Sequence, residues 1–235
     1  MYFDFSYFLI VGPAMLLSLW ASYKVKSSFS HWSSYKSSTG ATGAMVARAI
    51  LDANGLNYVR VEHVPGDLTD HYDPSSKTLR LSDATYSSNS IAAFGVAAHE
   101  AGHAIQDKVQ YPMLGFRSAI VPIAGFASSM SWFIIMLGMF LMYLMGKVGF
   151  FIAIIGVVLF SIVVLFQLIT VPVEIDASNR AKEILVRMGY IHGKEAEAVN
   201  EVLNAAAWTY VAAAVTGIAT LLYYLFRLGF FRSDD

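Results

Sequence analysis

Four long apolar stretches constrain this chain more than any other feature. They run from about Tyr2 to Tyr23, Ile120 to Met145, Val148 to Val171 and Ala205 to Phe226. Each can cross about 30 Å of hydrocarbon, which takes roughly 20 helical residues. The first has Asp4 near its outer end, no basic stretch before it and no small-residue cleavage site, and Lys24 and Lys26 follow it. It is therefore expected to remain as an anchor and not to be removed as a signal peptide. Between the second and third stretches, Gly146-Lys147-Val148-Gly149 leaves room only for a tight hairpin of antiparallel helices. Only 14% of the residues are charged and 56% are hydrophobic, the balance of a membrane protein.

These spans leave two polar segments, about Lys24 to Arg117 and Glu174 to Asn204, which must face the same side. That side carries 13 of the 16 Lys and Arg residues; Lys147, Arg227 and Arg232 lie on the other. By the positive-inside rule the polar segments are expected in the cytoplasm and both termini outside. The expected divisions are residues 1–23 for the first span, 24–118 for a cytoplasmic catalytic lobe, and 119–146 and 148–171 for the second and third spans. A cytoplasmic segment at 172–204 and a fourth span at 205–228 complete them. Net charge is −1 with no Lys/Arg-rich run, so the footprint that phosphate backbones demand is missing, and no nucleic acid is expected as a partner. Cys is absent, which leaves His and carboxylate as the strong zinc ligands.

The longer polar segment predicts mixed structure. Thr42 caps a helix to about Asn54, stopped by Gly55. Tyr58 to Val64 and Thr78 to Ser82 alternate apolar with polar residues as short strands do, separated by the turn-forming run Asp73-Pro74-Ser75-Ser76-Lys77. The second strand is expected half-buried, with Leu79 and Leu81 on one face. Ser90 caps a long helix from Ile91 to about Lys108.

That helix contains His99-Glu100-Ala101-Gly102-His103. Two His four residues apart share one helical face and one zinc ion can bridge them, while Glu100, turned about 100° away, can act on water as a general base. A helix that uses His for core hydrogen bonds is the plain alternative. Against it, the cluster sits among Ala92, Ala93, Phe94, Val96, Ala97 and Ala98, where ionisable groups need a partner to be tolerated. A catalytic zinc site needs a third protein ligand. Glu174, just past the third span, is the choice, since an acidic residue beside a hydrophobic run is costly; Pro172 would bend or restart the helix and re-aim it, and Asp176 is the rival. His31, His63, His71 and His192 lack a ligand partner at helical spacing and are expected to serve surface or packing roles.

Beyond the zinc motif, several segments together resemble the YugP-type bacterial membrane zinc metallopeptidases, the neutral zinc metallopeptidases. They are Tyr23-Lys24-Val25-Lys26, Thr42-Gly43-Ala44 to Gly55-Leu56, Asp70-His71-Tyr72-Asp73-Pro74, Ala97 to Asp107, Leu168 to Ala181 and Asn204-Ala205-Ala206. A wider similarity is to gluzincin peptidases such as HtpX and the Ste24-type proteases, where two His and a downstream Glu bind zinc. In those the Glu opens a Glu-x-x-Ala-Asp pattern. Glu174-Ile175-Asp176-Ala177-Ser178 matches it at Glu and Ala and departs at Ser178, leaving Ser178, Asn179 or Asp176 to orient a ligand His.

The resemblance implies a zinc-dependent metalloendopeptidase of the bacterial cell membrane: four transmembrane helices with a small cytoplasmic α+β gluzincin-like lobe. In it Zn2+ is held by His99, His103 and Glu174, Glu100 is the catalytic base, and polypeptides are the substrates. The strand Thr78–Ser82 would then lie at a sheet edge and hold an extended substrate there, and Arg180, His192 or Tyr210 would serve the oxyanion. The alternative is an inactive metal-binding membrane protein acting as a chaperone-like binder. An intramembrane site-2-type protease would need its motif inside a span, and His99 lies in the polar segment.

Overall fold

The computed structural model describes residues 5–230; Tyr2, Asp4, Arg232 and Asp235 lie outside them. Helix α1 spans Phe5–Ser33, α2 Gly43–Ala53, α3 Ile91–Lys108, α4 Pro112–Met145, α5 Lys147–Arg187 and α6 Lys194–Arg227, with strands β1 Arg60–His63, β2 His71–Asp73 and β3 Thr78–Leu81 between α2 and α3. Four of these helices, α1, α4, α5 and α6, are long and apolar enough to cross a membrane. All four run well past their apolar stretches. Hydropathy marks only the part suited to hydrocarbon, whereas helical hydrogen bonding continues as long as the residues permit it. Helix α5 neither stops nor restarts at Pro172, as the sequence suggested, and α1 and α4 also carry an internal proline. Each proline removes a single amide donor from a helix of 29 residues or more.

The chain divides into two units. The first comprises 5–20, 116–171 and 210–230. Here α4 and α5 form the expected hairpin, turned by Gly146 alone with a left-handed φ of 54°. The two helices approach so closely that a Cβ on Gly138 would strike Ala153, one on Gly149 the backbone of Met142, and one on Gly156 Ile135. Small residues at helical spacing let backbones meet where lipid offers no hydrophobic drive between helices. Tyr7 of α1 stacks edge-on against Tyr223 of α6 at 5.0 Å, and the Ser18 and Thr216 hydroxyls pair at 2.9 Å. Phe126, Trp132, Phe133, Phe140 and Tyr143 of α4 are exposed, as lipid-facing residues are.

The second unit comprises 21–115 and 172–209. Its core gathers Ile50, Leu51, Leu56, Leu79, Leu81, Phe94, Leu185 and Ile191. Thr42 caps α2 by accepting from Met45 N at 3.3 Å, and Ser90 caps α3 by accepting from Ala93 N at 3.2 Å, each contact being worth about 1 kcal/mol. Gly55 follows α2 with φ 65°, a conformation that glycine adopts without strain.

The sheet corrects one expectation. Its order is β1-β3-β2, with β3 parallel to β1 and antiparallel to β2, so the strand at Thr78 is central and has no free edge to offer a substrate. Nor is it half-buried, because Thr78, Leu79, Leu81 and Ser82 are all buried. The missing partner was β2: three residues, His71–Asp73, too short and too polar to carry an alternating pattern. Contacts outside the apolar pattern secure it. Asp70 accepts from both the amide and the hydroxyl of Ser82 at 2.8 and 2.7 Å, and Asp107 of α3 accepts from the Tyr72 hydroxyl and the Lys77 ammonium, each at 2.6 Å.

Within the same unit, the end of α1 is fastened to α6 through Glu201. Its carboxylate accepts from Lys24 Nζ at 2.6 Å, Trp32 Nε1 at 3.0 Å and Ser28 Oγ at 3.1 Å. The Lys24 hydrogen bond, followed by that of Trp32, holds its pKa down to about 2.

Candidate metal centre

Helix α3 is built to bring its polar residues against another helix. Ala92, Ala93, Ala97, Ala98, Ala101 and Ala104 are buried, so most of the buried surface of the helix is small, with Ile91, Phe94 and Ile105 the larger apolar exceptions. At Gly102 an added Cβ would lie 2.8 Å from the carbonyl oxygen of Ala177 in α5. On α5, the buried face is Glu174, Ala177, Ser178 and Ala181, spaced as one helical stripe. The small residues within the His99–His103 motif are thus what lets α5 deliver Glu174.

At that contact three donor atoms converge. Nε2 of His99 lies 3.1 Å and Nε2 of His103 3.6 Å from Oε2 of Glu174, and the possible ligand atoms all fall within 4.8 Å of one another. The two imidazole rings stand 4.7 Å apart, nearly perpendicular. Side-chain exposure is 13% for His99, 10% for His103 and 2% for Glu174, so the cluster is screened from water but reachable on the His side. Burial opposes ionisation of Glu174, yet its close contacts with His103 and His99 outweigh it and hold the carboxyl well below the usual range. For His103, burial favours the neutral ring, but the contact with Glu174 and the charge of Glu100 more than offset it and raise its pKa. Glu100, mostly buried, follows His99 directly on α3.

The outer nitrogens of both rings are also occupied. Nδ1 of His99 pairs with the Ser178 hydroxyl at 3.1 Å, and Nδ1 of His103 lies 2.9 Å from Oε1 of Gln106. Both Nε2 atoms therefore face Glu174. Two imidazoles and a carboxylate, with their outer sides already satisfied, are a donor set that suits zinc. Ser178 is thus the residue that orients His99, Asn179 is exposed, and Asp176 points elsewhere, accepting from Gln106 Nε2 at 2.8 Å and Arg180 Nε at 2.6 Å. Sequence reasoning missed Gln106, although a signal existed: it stands three residues after His103 and therefore on the same helix face.

Nε and NH2 of Arg180 are held by Asp176, His192 is exposed in the turn before α6, and Tyr210 belongs to the first unit. The other His residues have local contacts: His63 with Asp83 at 2.6 Å, His71 Nδ1 with the Thr69 carbonyl at 2.8 Å, and His31 ring to ring with Trp32.

Gly102 gives a direct test of the helix contact. Alanine normally favours a helix over glycine by about 1 kcal/mol, but here its methyl would press on the Ala177 carbonyl. Overpacking of this kind typically costs about 1–3 kcal/mol. Gly102→Ala is expected to lower both the thermal midpoint and zinc affinity, since separating α3 from α5 draws Glu174 away from the His pair. An unchanged midpoint in a thermal melt would mean that the helices have slack.

Fold and cluster together define a class: a mainly helical protein with four membrane-length helices, a small mixed sheet and a His/His/Glu group able to hold a metal ion. The chain belongs to the family described as "Putative neutral zinc metallopeptidase", which matches residues 7–229. It is 48% identical over 212 residues to a Bacillus subtilis (strain 168) protein named "Putative membrane protease YugP", covering 90% of this chain and 92% of that one. No solved structure matches. Zinc is the metal that this family implies.

Proposed function

We propose that the chain is an integral membrane zinc metalloendopeptidase in which His99, His103 and Glu174 hold the metal and Glu100 is the general base. The convergence of the three donor atoms, with Glu100 adjacent to His99, carries this reading. A zinc ion bound there supplies a Lewis acid that polarises a peptide carbonyl and makes a nearby water easier to deprotonate. Glu100 takes the proton of the attacking water and delivers it to the departing amine. Glu174, ionised and nearly inaccessible, balances charge and keeps both imidazoles aimed. Ser178 and Gln106 hold the rings from behind.

The substrates in this reading are unfolded or membrane-proximal polypeptides, because Glu174 follows the last residue of the third apolar stretch, Val171, by only three positions. Residues 24–118 and 172–204 make up a gluzincin-like catalytic lobe on the cytoplasmic side, favoured by the 13 of 16 basic residues there. The decisive experiment is cleavage of a denatured protein by the purified full chain, with zinc content measured before and after chelation. Activity is expected to vanish with the metal and to return with zinc. Activity that survives complete removal of zinc would reject the reading. In cells, a reporter fused after Asp235 is expected to be accessible from outside and a tag near Ser75 to be protected. The opposite pattern would reverse the topology.

A further inference from the structure

We propose that Gln106 is a positioning residue that fixes which nitrogen of His103 carries its proton, and that Asp176 and Arg180 in turn fix Gln106. The inference rests on the zinc-site reading above. Gln106 is fully buried, so its amide has no water to fall back on. One end, Nε2, lies 2.8 Å from the carbonyl oxygen of Val173 and 2.8 Å from Oδ2 of Asp176. Both of those atoms can only accept, so the end facing them must be the NH2 group, and both its N–H bonds are used. A flipped amide would set an oxygen against two oxygens.

The other end is therefore a carbonyl oxygen, 2.9 Å from Nδ1 of His103. A carbonyl cannot donate, so His103 Nδ1 must. The lone pair of the neutral ring is then forced onto Nε2, the atom that faces Glu174. Asp176 is held for this task by Arg180, which donates through Nε to Oδ2 at 2.6 Å and through NH2 to Oδ1 at 3.3 Å, one helical turn further along α5. His99 lacks this constraint, because its Nδ1 meets the Ser178 hydroxyl, which can either donate or accept. The cluster thus has one ligand with a preset tautomer and one that adapts.

The test measures zinc affinity of the full chain by chelator competition, together with the absorption spectrum of the cobalt-substituted protein. Gln106→Met keeps length and removes both polar ends; it is expected to weaken zinc binding by about 10–100-fold, the usual effect of losing such a supporting bond, and to alter the cobalt spectrum. Asp176→Leu removes the acceptor that holds the amide of Gln106 and leaves Gln106 itself in place; it is expected to alter the cobalt spectrum in the same sense. Asp176→Asn can still accept from Gln106 and Arg180 through its amide oxygen and is expected to keep the wild-type cobalt spectrum, a difference that a role in packing alone does not explain. Affinity within about threefold of wild type in Gln106→Met overturns the proposal, as does a wild-type cobalt spectrum in Asp176→Leu. Failure of both Gln106→Met and Asp176→Leu to fold also overturns it, since the role would then be structural. His99→Ala separates this from the underlying reading: if it binds zinc as wild type does, the metal is elsewhere and both fail. If it loses zinc while Gln106→Met does not, only the present inference fails.

Discussion

Glu100→Gln is expected to bind zinc as the wild type does, about one ion per chain, and to cleave polypeptide several orders of magnitude more slowly. The two halves have separate origins. Retention follows from geometry, because the donor atoms are His99, His103 and Glu174, and a change at position 100 removes none of them. Loss of rate follows from chemistry: glutamine matches glutamate in shape but cannot accept a proton at neutral pH. General acid–base work alone contributes about 10²–10⁴-fold, and the same group is asked both to take a proton from water and to return one to the leaving amine. A smaller effect is also expected at His103, whose raised pKa depends in part on the Glu100 charge. Removing that charge should lower the His103 pKa, so any proton that zinc must displace there is held less tightly, while the lost carboxylate charge acts on a bound dication in the opposite sense. Metal analysis and a cleavage assay on the same preparation check both halves. A zinc-loaded variant with wild-type turnover would exclude Glu100 from the reaction.

The parts of this molecule that were legible in the sequence are those with a strong local cause. Membrane-length helices announce themselves through runs of apolar residues, and α2 and α3 through Thr42 and Ser90, whose side chains make the capping bonds expected of them. The spacing of His99 and His103 on a helix also sufficed to predict a shared face. Where the cause was distant in sequence, reading failed or stayed undecided. Strand β2 exists because Asp70, Tyr72 and their partners Ser82 and Asp107 hold it in place, and no window around His71 contains that information. Missing it turned a central strand into an apparent edge. The choice between Glu174 and Asp176 was open for a related reason. Two residues apart on a helix they are turned about 200° from each other, and which one reaches the two rings is decided by how α5 packs on α3 at the Gly102–Ala177 contact.

Glu174→Ala is expected to lower zinc affinity by more than the roughly 10–100-fold that follows loss of a supporting hydrogen bond, whereas Asp176→Ala should stay within that range. Glu174 is the common partner of both rings, and its carboxylate is held ionised there against the cost of burial. Without it, two imidazoles remain, and two protein ligands are one short of the three that a catalytic zinc site requires. The charge balance changes as well, since a dication would then be buried beside neutral rings without the carboxylate that both of them face. Asp176 stands in a different position. Its oxygens are taken up by Gln106 and Arg180, so its removal loosens the support behind His103 and leaves all three donors in place. Glu174→Ala should still fold, because Val173, Ala177 and Ala181 keep α5 in the core and the alanine fits the same stripe. Zinc titration of both variants, each checked for folding by its thermal melt, decides the matter. A larger loss in Asp176→Ala than in Glu174→Ala would transfer the third-ligand role to Asp176.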